Sequence, residues 1–178
     1  GKIRAIGASI RGPNVTAATQ AMCDTYAATG HIDCFMLVYS IFRQMNLSAI
    51  EHAEKNGIGI IARTVLESGL LTGAYSRGHV FPEGDHRARY DREKLEFIIK
   101  TAEEISGFAV NAPYTTLAQV SMRFSLSTPG VSTIIMGAQN PDEVRWNLDS
   151  LSLPPLTPEL VDDLRSRYEG ITERSNFN

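Results

Sequence analysis

The stretch TIIMGAQNPDEVRWNL, residues 133–148, runs from an apolar segment through Gly137 into Asn140, Pro141, Asp142 and Glu143, the residues that open a helix. The first N–H groups of a helix lack intrahelical acceptors and carry partial positive charge, so such a turn can cradle an anion. A plain strand-to-helix turn has the same pattern. Arg63 ends the apolar segment GIIAR. There a guanidinium offers a planar face for stacking and a fixed charge for an anion, or it pairs with a loop carboxylate such as Glu67. LESGLLTG, Leu66 to Gly73, follows directly and sets glycines among small residues. That lets backbone amides approach a ligand closely, although many such loops are only turns. FPEGDHRARYDR collects His86, Arg87, Arg89 and Arg92 with Asp85; it reads as a solvated mixed-charge loop or as a lid over an anionic ligand. His52 and His79 read as surface residues, and His31 has no evident partner. No set of His, Cys, Asp and Glu has metal-ligand spacing, and there is no nucleophile elbow.

The elements that must carry these residues alternate strand and helix. Strands are expected at Ile3–Gly7, Cys34–Val38, Ile58–Ala62 and Val131–Met136. Helices are expected from Pro13-Asn14 to Thr29, from Ser48 to Lys55, after the cap Asp91, from Thr115 or Thr116 to Pro129-Gly130, from Pro141 to Leu151, and from Thr157-Pro158-Glu159 to Tyr168. Lys94, Leu95, Ile98, Ile99, Ala102 and Ile105 have helical spacing, and Leu117, Val120, Met122 and Phe124 are the inward residues of the next helix. The polar tail GITERSNFN should fray. Strands apolar throughout, with helices between them, imply a parallel sheet covered on both faces and hence an α/β fold. Four such units are too few to close an eight-stranded barrel, so another chain or a longer protein is expected to supply the rest.

At 178 residues, 43% hydrophobic and with a net charge of −3, the chain has the composition of one ordinary globular unit, taken as 1–178. The weak acidity gives no reason to expect nucleic acid, and the apolar runs are too short for a membrane span. Cys23 and Cys34, without disulfide or metal spacing, read as small core residues of a reducing, cytoplasmic compartment.

GKIRAIGAS, GIGIIARTVLESGLLTG and STIIMGAQNPDEVRWNL resemble, in order and spacing, the second half of an aldo-keto reductase. The resemblance implies a (β/α)8 TIM-type barrel, with this chain giving strands five to eight and the C-terminal helix. It implies NADPH or NADH along the strand ends, a small carbonyl substrate, and an N-terminal half-barrel polypeptide as partner. Ser9 matches the serine that bonds the nicotinamide carboxamide, whereas its usual Asn neighbour is Ile10 and the companion glutamine falls at Met36. Arg63 stands where many members stack an aromatic ring on the nicotinamide. Leu66, Ser68, Gly69 and Leu70 match the pyrophosphate loop. Gly137, Ala138, Gln139 and Asn140 match the adenosine-phosphate turn, and Asn147 the adenine contact. Gln139 and Glu143 stand where a cation would select a 2′-phosphate, so NADP against NAD stays open. The family's catalytic Asp, Tyr, Lys and His belong to its first half, so no catalytic residue is expected here; Tyr39 has no Lys or acid placed to activate it. Two readings follow: the cofactor-binding half of an NAD(P)H-dependent carbonyl reductase, inactive alone, or a non-catalytic scaffold or regulator that has lost the chemistry.

Overall fold

The computed structural model describes residues 1–10 and 16–171. Among them the order is β1 (Gly7–Ser9), α1 (Thr16–Ala28), β2 (Cys34–Val38), α2 (Leu47–Lys55), β3 (Gly59–Arg63), α3 (Arg92–Ala109), α4 (Leu117–Leu126), β4 (Val131–Ile134), α5 (Pro141–Asp149) and α6 (Pro158–Tyr168). The strands lie side by side in chain order and every pairing is parallel. The α/β class and the parallel sheet expected from the sequence are therefore present. The helix opening at Pro13-Asn14 and the tail from 172 onward lie outside the described residues, although Ile171 is already buried.

β1 begins later than the apolar run beginning at Ile3. Its pairing starts where β2 starts, with Gly7 opposite Cys34. Just before it, Asp33 fastens Ile6, its carboxylate accepting the Ile6 N–H at 2.7 Å and its own N–H donating to the Ile6 carbonyl at 2.8 Å. Ile3 to Ala5 precede any partner strand. β4 stops short of Met136 for a related reason. The Ile135 N–H still donates to the Ala62 carbonyl at 3.0 Å, but beyond Arg63 the chain turns away through Thr64, whose φ is 65°.

The core lies between the sheet and its helices. Phe35, Leu37, Ile60 and Ala62, alternate residues of the two central strands, are fully buried. They belong to one core with Ala49, Ile50 and Ala53 of α2, Leu95, Ile98, Ile99, Ala102 and Ile105 of α3, and Leu117, Val120, Met122 and Phe124 of α4. Each large aliphatic or aromatic side chain buried there contributes roughly 1.5–3 kcal/mol. Asp91 caps α3 by accepting the Lys94 N–H, and Thr116 and Gln119 form a reciprocal capping box on α4.

The other face of the sheet lacks the full cover that apolar strands alone imply, as four units too few to close a barrel are expected to leave it. Cys34, Met36 and Ile61 are only half-buried, and β1 and β4 are largely exposed. α5 buries none of its residues, leaving Val144 47%, Trp146 64% and Leu148 59% exposed. Apolar strands were read as covered because periodicity reports hydrophobicity, not which element supplies the cover. Cys34 likewise lies on the half-open face rather than in the core, while Cys23 is fully buried and its thiol is pushed up to about 11 by that burial, with Asp24 adding to it.

Candidate functional site

The parallel arrangement puts every strand's C-terminal end at one edge of the sheet. Ser9 closes β1 opposite Met36 of β2, and Val38 lies opposite Arg63, which closes β3. Side-chain alternation sets Ser9, Met36, Ile61 and Arg63 on the half-open face, away from the helices. Ser9 is exposed and Arg63 half-buried, its Nη1 lying 3.5 Å from the Thr64 hydroxyl. Met36 presents a thioether, at best a weak acceptor, beside the Ser9 hydroxyl. Tyr39, at the end of the neighbouring strand, is a core residue: it stacks on Phe124 at 5.8 Å and accepts a hydrogen bond from Thr128.

The connection after β3 is a strained, densely bonded turn. Thr64, Glu67 and Ser68 have φ of 65°, 47° and 56°, and a non-glycine residue in this left-handed region costs on the order of 1–3 kcal/mol. Gly69, at φ 90°, continues the turn at no such cost. The Leu66 carbonyl accepts the N–H groups of both Gly69 (2.9 Å) and Leu71 (3.0 Å), and the Thr72 hydroxyl donates to the Gly69 carbonyl at 2.7 Å. Leu66 is half-buried, Leu70 fully buried and Ser68 exposed at the apex.

Two side-chain clusters unforeseen in the sequence reading fasten this turn. The Glu67 carboxylate is 2% exposed; it accepts the Ser40 hydroxyl and takes both oxygens to Arg43 Nε, at 2.9 and 3.1 Å. The loop carboxylate weighed as a partner for Arg63 is thus engaged by the β2–α2 connection. Burial pushes the Glu67 carboxyl up from the usual carboxylate range, against the opposing pull of Arg43 and Ser40. On the other side Arg87 is buried in a loop read as solvated or lid-like. It makes a forked contact with Asp85 (2.9 and 2.7 Å), lies over the Phe81 ring at 4.2 Å, and donates to the Ser68 carbonyl at 2.9 Å and the Tyr75 hydroxyl at 2.7 Å. The Arg87 guanidinium holds the Asp85 carboxyl well below its usual range. His86 and Arg92 are exposed, and Arg89 likewise. The glutamate inside a glycine-rich turn and the Asp-His-Arg triplet were the available signals.

Beyond β4, Gly137 to Asn140 are exposed, with open space where a Gly137 side chain would be. The helix start is capped from within the chain. Asn140 Oδ1 accepts the N–H groups of Asp142 (3.1 Å) and Glu143 (3.0 Å), and the Glu143 carboxylate accepts the Gln139 N–H at 2.7 Å. The amides that a strand-to-helix turn offers to an anion therefore carry internal acceptors at three positions, so a ligand here must displace the Glu143 carboxylate or use the neighbouring Gly137 and Ala138 backbone. Asn147 reaches back from α5 to the Gly137 carbonyl at 3.4 Å.

The hydroxyl of Ser9, the guanidinium of Arg63 and the glycine-rich turns gather at the strand C-termini of a parallel α/β sheet, the end at which such folds place their ligand sites, which makes this edge the candidate site. Among the described residues no group of three metal-ligating side chains exists, and no helix is long and apolar enough to cross a membrane. The chain belongs to the Aldo/keto reductase family, which matches residues 1–169. It is 31% identical over 157 residues to the NADH-specific methylglyoxal reductase of Escherichia coli (strain K12), covering 86% of this chain and 45% of that protein. It is 29% identical over 125 residues to a "Probable voltage-gated potassium channel subunit beta" of Oryza sativa subsp. japonica, covering 67% of this chain and 38% of that one. The fold is similar to that of the glycerol dehydrogenase from Gluconobacter oxydans, with a TM-score of 0.76 at 23% identity over 94% of this chain and 50% of the other. The chain thus spans half or less of the length of these relatives.

Proposed function

We propose that these residues form the dinucleotide-binding half of an NAD(P)H-dependent carbonyl reductase, corresponding to strands five to eight of a barrel that an N-terminal half-barrel polypeptide completes. The observation that carries the proposal is the gathering of Ser9, Arg63, the Leu66–Leu70 turn and the Gly137–Asn140 turn at one edge of a parallel sheet. The unburied α5 and the half-open sheet face support a missing counterpart, since exposed apolar residues so grouped call for cover.

The residues fit an extended dinucleotide along most of its length. The open space at Gly137 admits a phosphate close to the backbone, and the exposed Ser68 apex offers a hydroxyl. Ser68, Gly69, Leu66 and Leu70 would hold the pyrophosphate; Gly137, Ala138, Gln139 and Asn140 the adenosine phosphate; Asn147 the adenine. Arg63 would lie against the nicotinamide ring and Ser9 would hydrogen-bond its carboxamide. Bound there, the dinucleotide would supply a hydride to an aldehyde or ketone carbon. This chain's part is binding and orientation; the proton donor to the carbonyl oxygen would come from the other half.

The non-catalytic alternative rests on Ile10 and Met36, which take away two carboxamide partners worth roughly 0.5–1.5 kcal/mol each. Ile10 is buried at 2% and Met36 carries no amide. The relative named as a channel subunit gives that alternative a concrete form, a subunit assembled with another protein.

Titration of the completed protein with NADPH and NADH separates the readings. Trp146, the one tryptophan of these 178 residues, is 64% exposed beside Asn147, so dinucleotide binding should quench its fluorescence. Quenching with turnover of an aldehyde panel supports the reductase. A completed protein that binds neither dinucleotide overturns it, and one that binds without turnover favours the regulator.

A further inference from the structure

The turn after β3 is held from two sides by residues that do not line the strand-end row. Thr64, Glu67 and Ser68 all adopt left-handed backbone conformations, which persist only where surrounding contacts over-determine them. Those contacts come from distant segments. Ser40 and Arg43, from the connection after β2, grip the Glu67 carboxylate. Arg87, nineteen residues beyond Ser68, grips the Ser68 carbonyl at 2.9 Å. A planar trans peptide points its carbonyl and its N–H in opposite directions, so fixing the Ser68 carbonyl also fixes the Gly69 N–H, which donates to Leu66. The fit is close: a Cβ on Gly69 would sit 3.3 Å from Arg87 Nη1.

Both guanidiniums are already matched by a carboxylate, Arg43 by Glu67 and Arg87 by Asp85. What they offer the turn is position rather than net charge. Arg87 is buried, paired and stacked on the Phe81 and Tyr75 rings, and Arg43 is half-buried and paired, so the turn is held without help from a ligand.

We infer that Glu67 and Arg87 are positioning residues for the dinucleotide: together they preset the Leu66–Leu70 turn in its ligand-receiving geometry. The inference rests on the dinucleotide reading above. Presetting lowers the ordering cost of binding and so appears as affinity. It acts on the pyrophosphate stretch alone, because the Gly137–Asn140 turn is secured by its own Asn140 and Glu143 contacts.

The test uses the full-length protein carrying these residues and the variants Glu67→Gln, Arg87→Lys and Tyr75→Phe. The last removes only the 2.7 Å bond that steadies Arg87 and retains the fold if the other two lose it. Affinities for NADPH, NADH and adenosine 5′-monophosphate are measured, with hydrogen exchange at the Gly69 and Leu71 amides in the ligand-free protein. Dinucleotide affinity should fall about tenfold in Glu67→Gln and Arg87→Lys and about two- to threefold in Tyr75→Phe. Adenosine monophosphate affinity should hold, and both amides should exchange faster. Wild-type protein that binds dinucleotide no better than the variants overturns this inference and leaves the dinucleotide reading standing. Loss of dinucleotide and adenosine monophosphate affinity in equal measure also overturns it, since that is general loosening. Wild-type protein that binds no dinucleotide overturns both.

Discussion

The Glu143 carboxylate accepts the backbone N–H of Gln139 at 2.7 Å and faces the Asn140 side-chain amide at 3.1 Å. An anion arriving at this turn meets a resident anion already on the amide it needs. Glu143 is half-buried at the start of α5, where a charge near a helix terminus counts for about 0.3–1 kcal/mol. Glu143→Gln should therefore strengthen dinucleotide binding roughly two- to fivefold. The gain should be larger for NADPH than for NADH if the 2′-phosphate lies at Gln139. The ratio of the two dissociation constants, measured by Trp146 quenching in both proteins, checks it; an unchanged ratio places the 2′-position elsewhere.

Asn140 carries the fold of the same turn. Its Oδ1 takes two helix-start amides, those of Asp142 and Glu143. Removing such a cap costs about 1 kcal/mol, and serine is nearly as good a cap as asparagine. Asn140→Ala should lower the unfolding free energy measured in urea by that amount, and Asn140→Ser should recover most of it. Equal losses in the two variants would mean that the asparagine amide, not the cap, is what stabilises α5.

The two clusters around the turn after β3 should respond to pH with opposite signs. Glu67 has its folded value raised above an ordinary 4.5 by burial. Its contribution is present in full below that ordinary value and is lost as pH rises through the folded one. Asp85 has its folded value held below an ordinary 3.8 by Arg87. Its contribution is present above that ordinary value and is lost as pH falls toward the folded one. Urea unfolding from about pH 3 to about pH 8 should show wild type losing ground to Glu67→Gln as pH rises. Against Asp85→Asn it should lose ground only at the acid end. Parallel curves for all three proteins would show that neither carboxyl is shifted.

How far the sequence spoke depended on how local each cause was. α3 was legible because its cap, Asp91, and its apolar spacing lie within the helix itself. α6 was legible from Thr157, which caps it, and Pro158 at its first position. β1 was displaced toward Ser9 because its register is set by Asp33 and Cys34, more than twenty residues away. Glu67 could be seen as a loop carboxylate, yet its partners Ser40 and Arg43 are 27 and 24 residues distant, and only the fold brings them together. The left-handed conformation of Thr64 had no local signal at all, since a β-branched residue disfavours it. Of the candidate site, the residue types at the strand ends were readable; the contacts that hold or occupy them were not.

Two glycines give a last contrast between backbone need and backbone cost. Gly130, between α4 and β4, has φ 86°, and a Cβ there would meet Ile50 Cγ2 at 3.0 Å and the Ile50 carbonyl oxygen at 3.1 Å. Because the carbonyl belongs to α2, it cannot rotate aside as a side chain would. Left-handed strain of about 1–2 kcal/mol and crowding of about 1–3 kcal/mol both apply to Gly130→Ala. The variant should lose roughly 2–5 kcal/mol. Gly107, inside α3, has nothing within 4 Å of where a Cβ would stand. There alanine keeps the helical backbone and restricts the unfolded chain, so Gly107→Ala should add about 0.5–1 kcal/mol. Urea unfolding of both variants reads the two signs directly. A neutral Gly130→Ala would show that α2 and the α4–β4 turn are free to separate, and the packing of that corner would have to be redrawn.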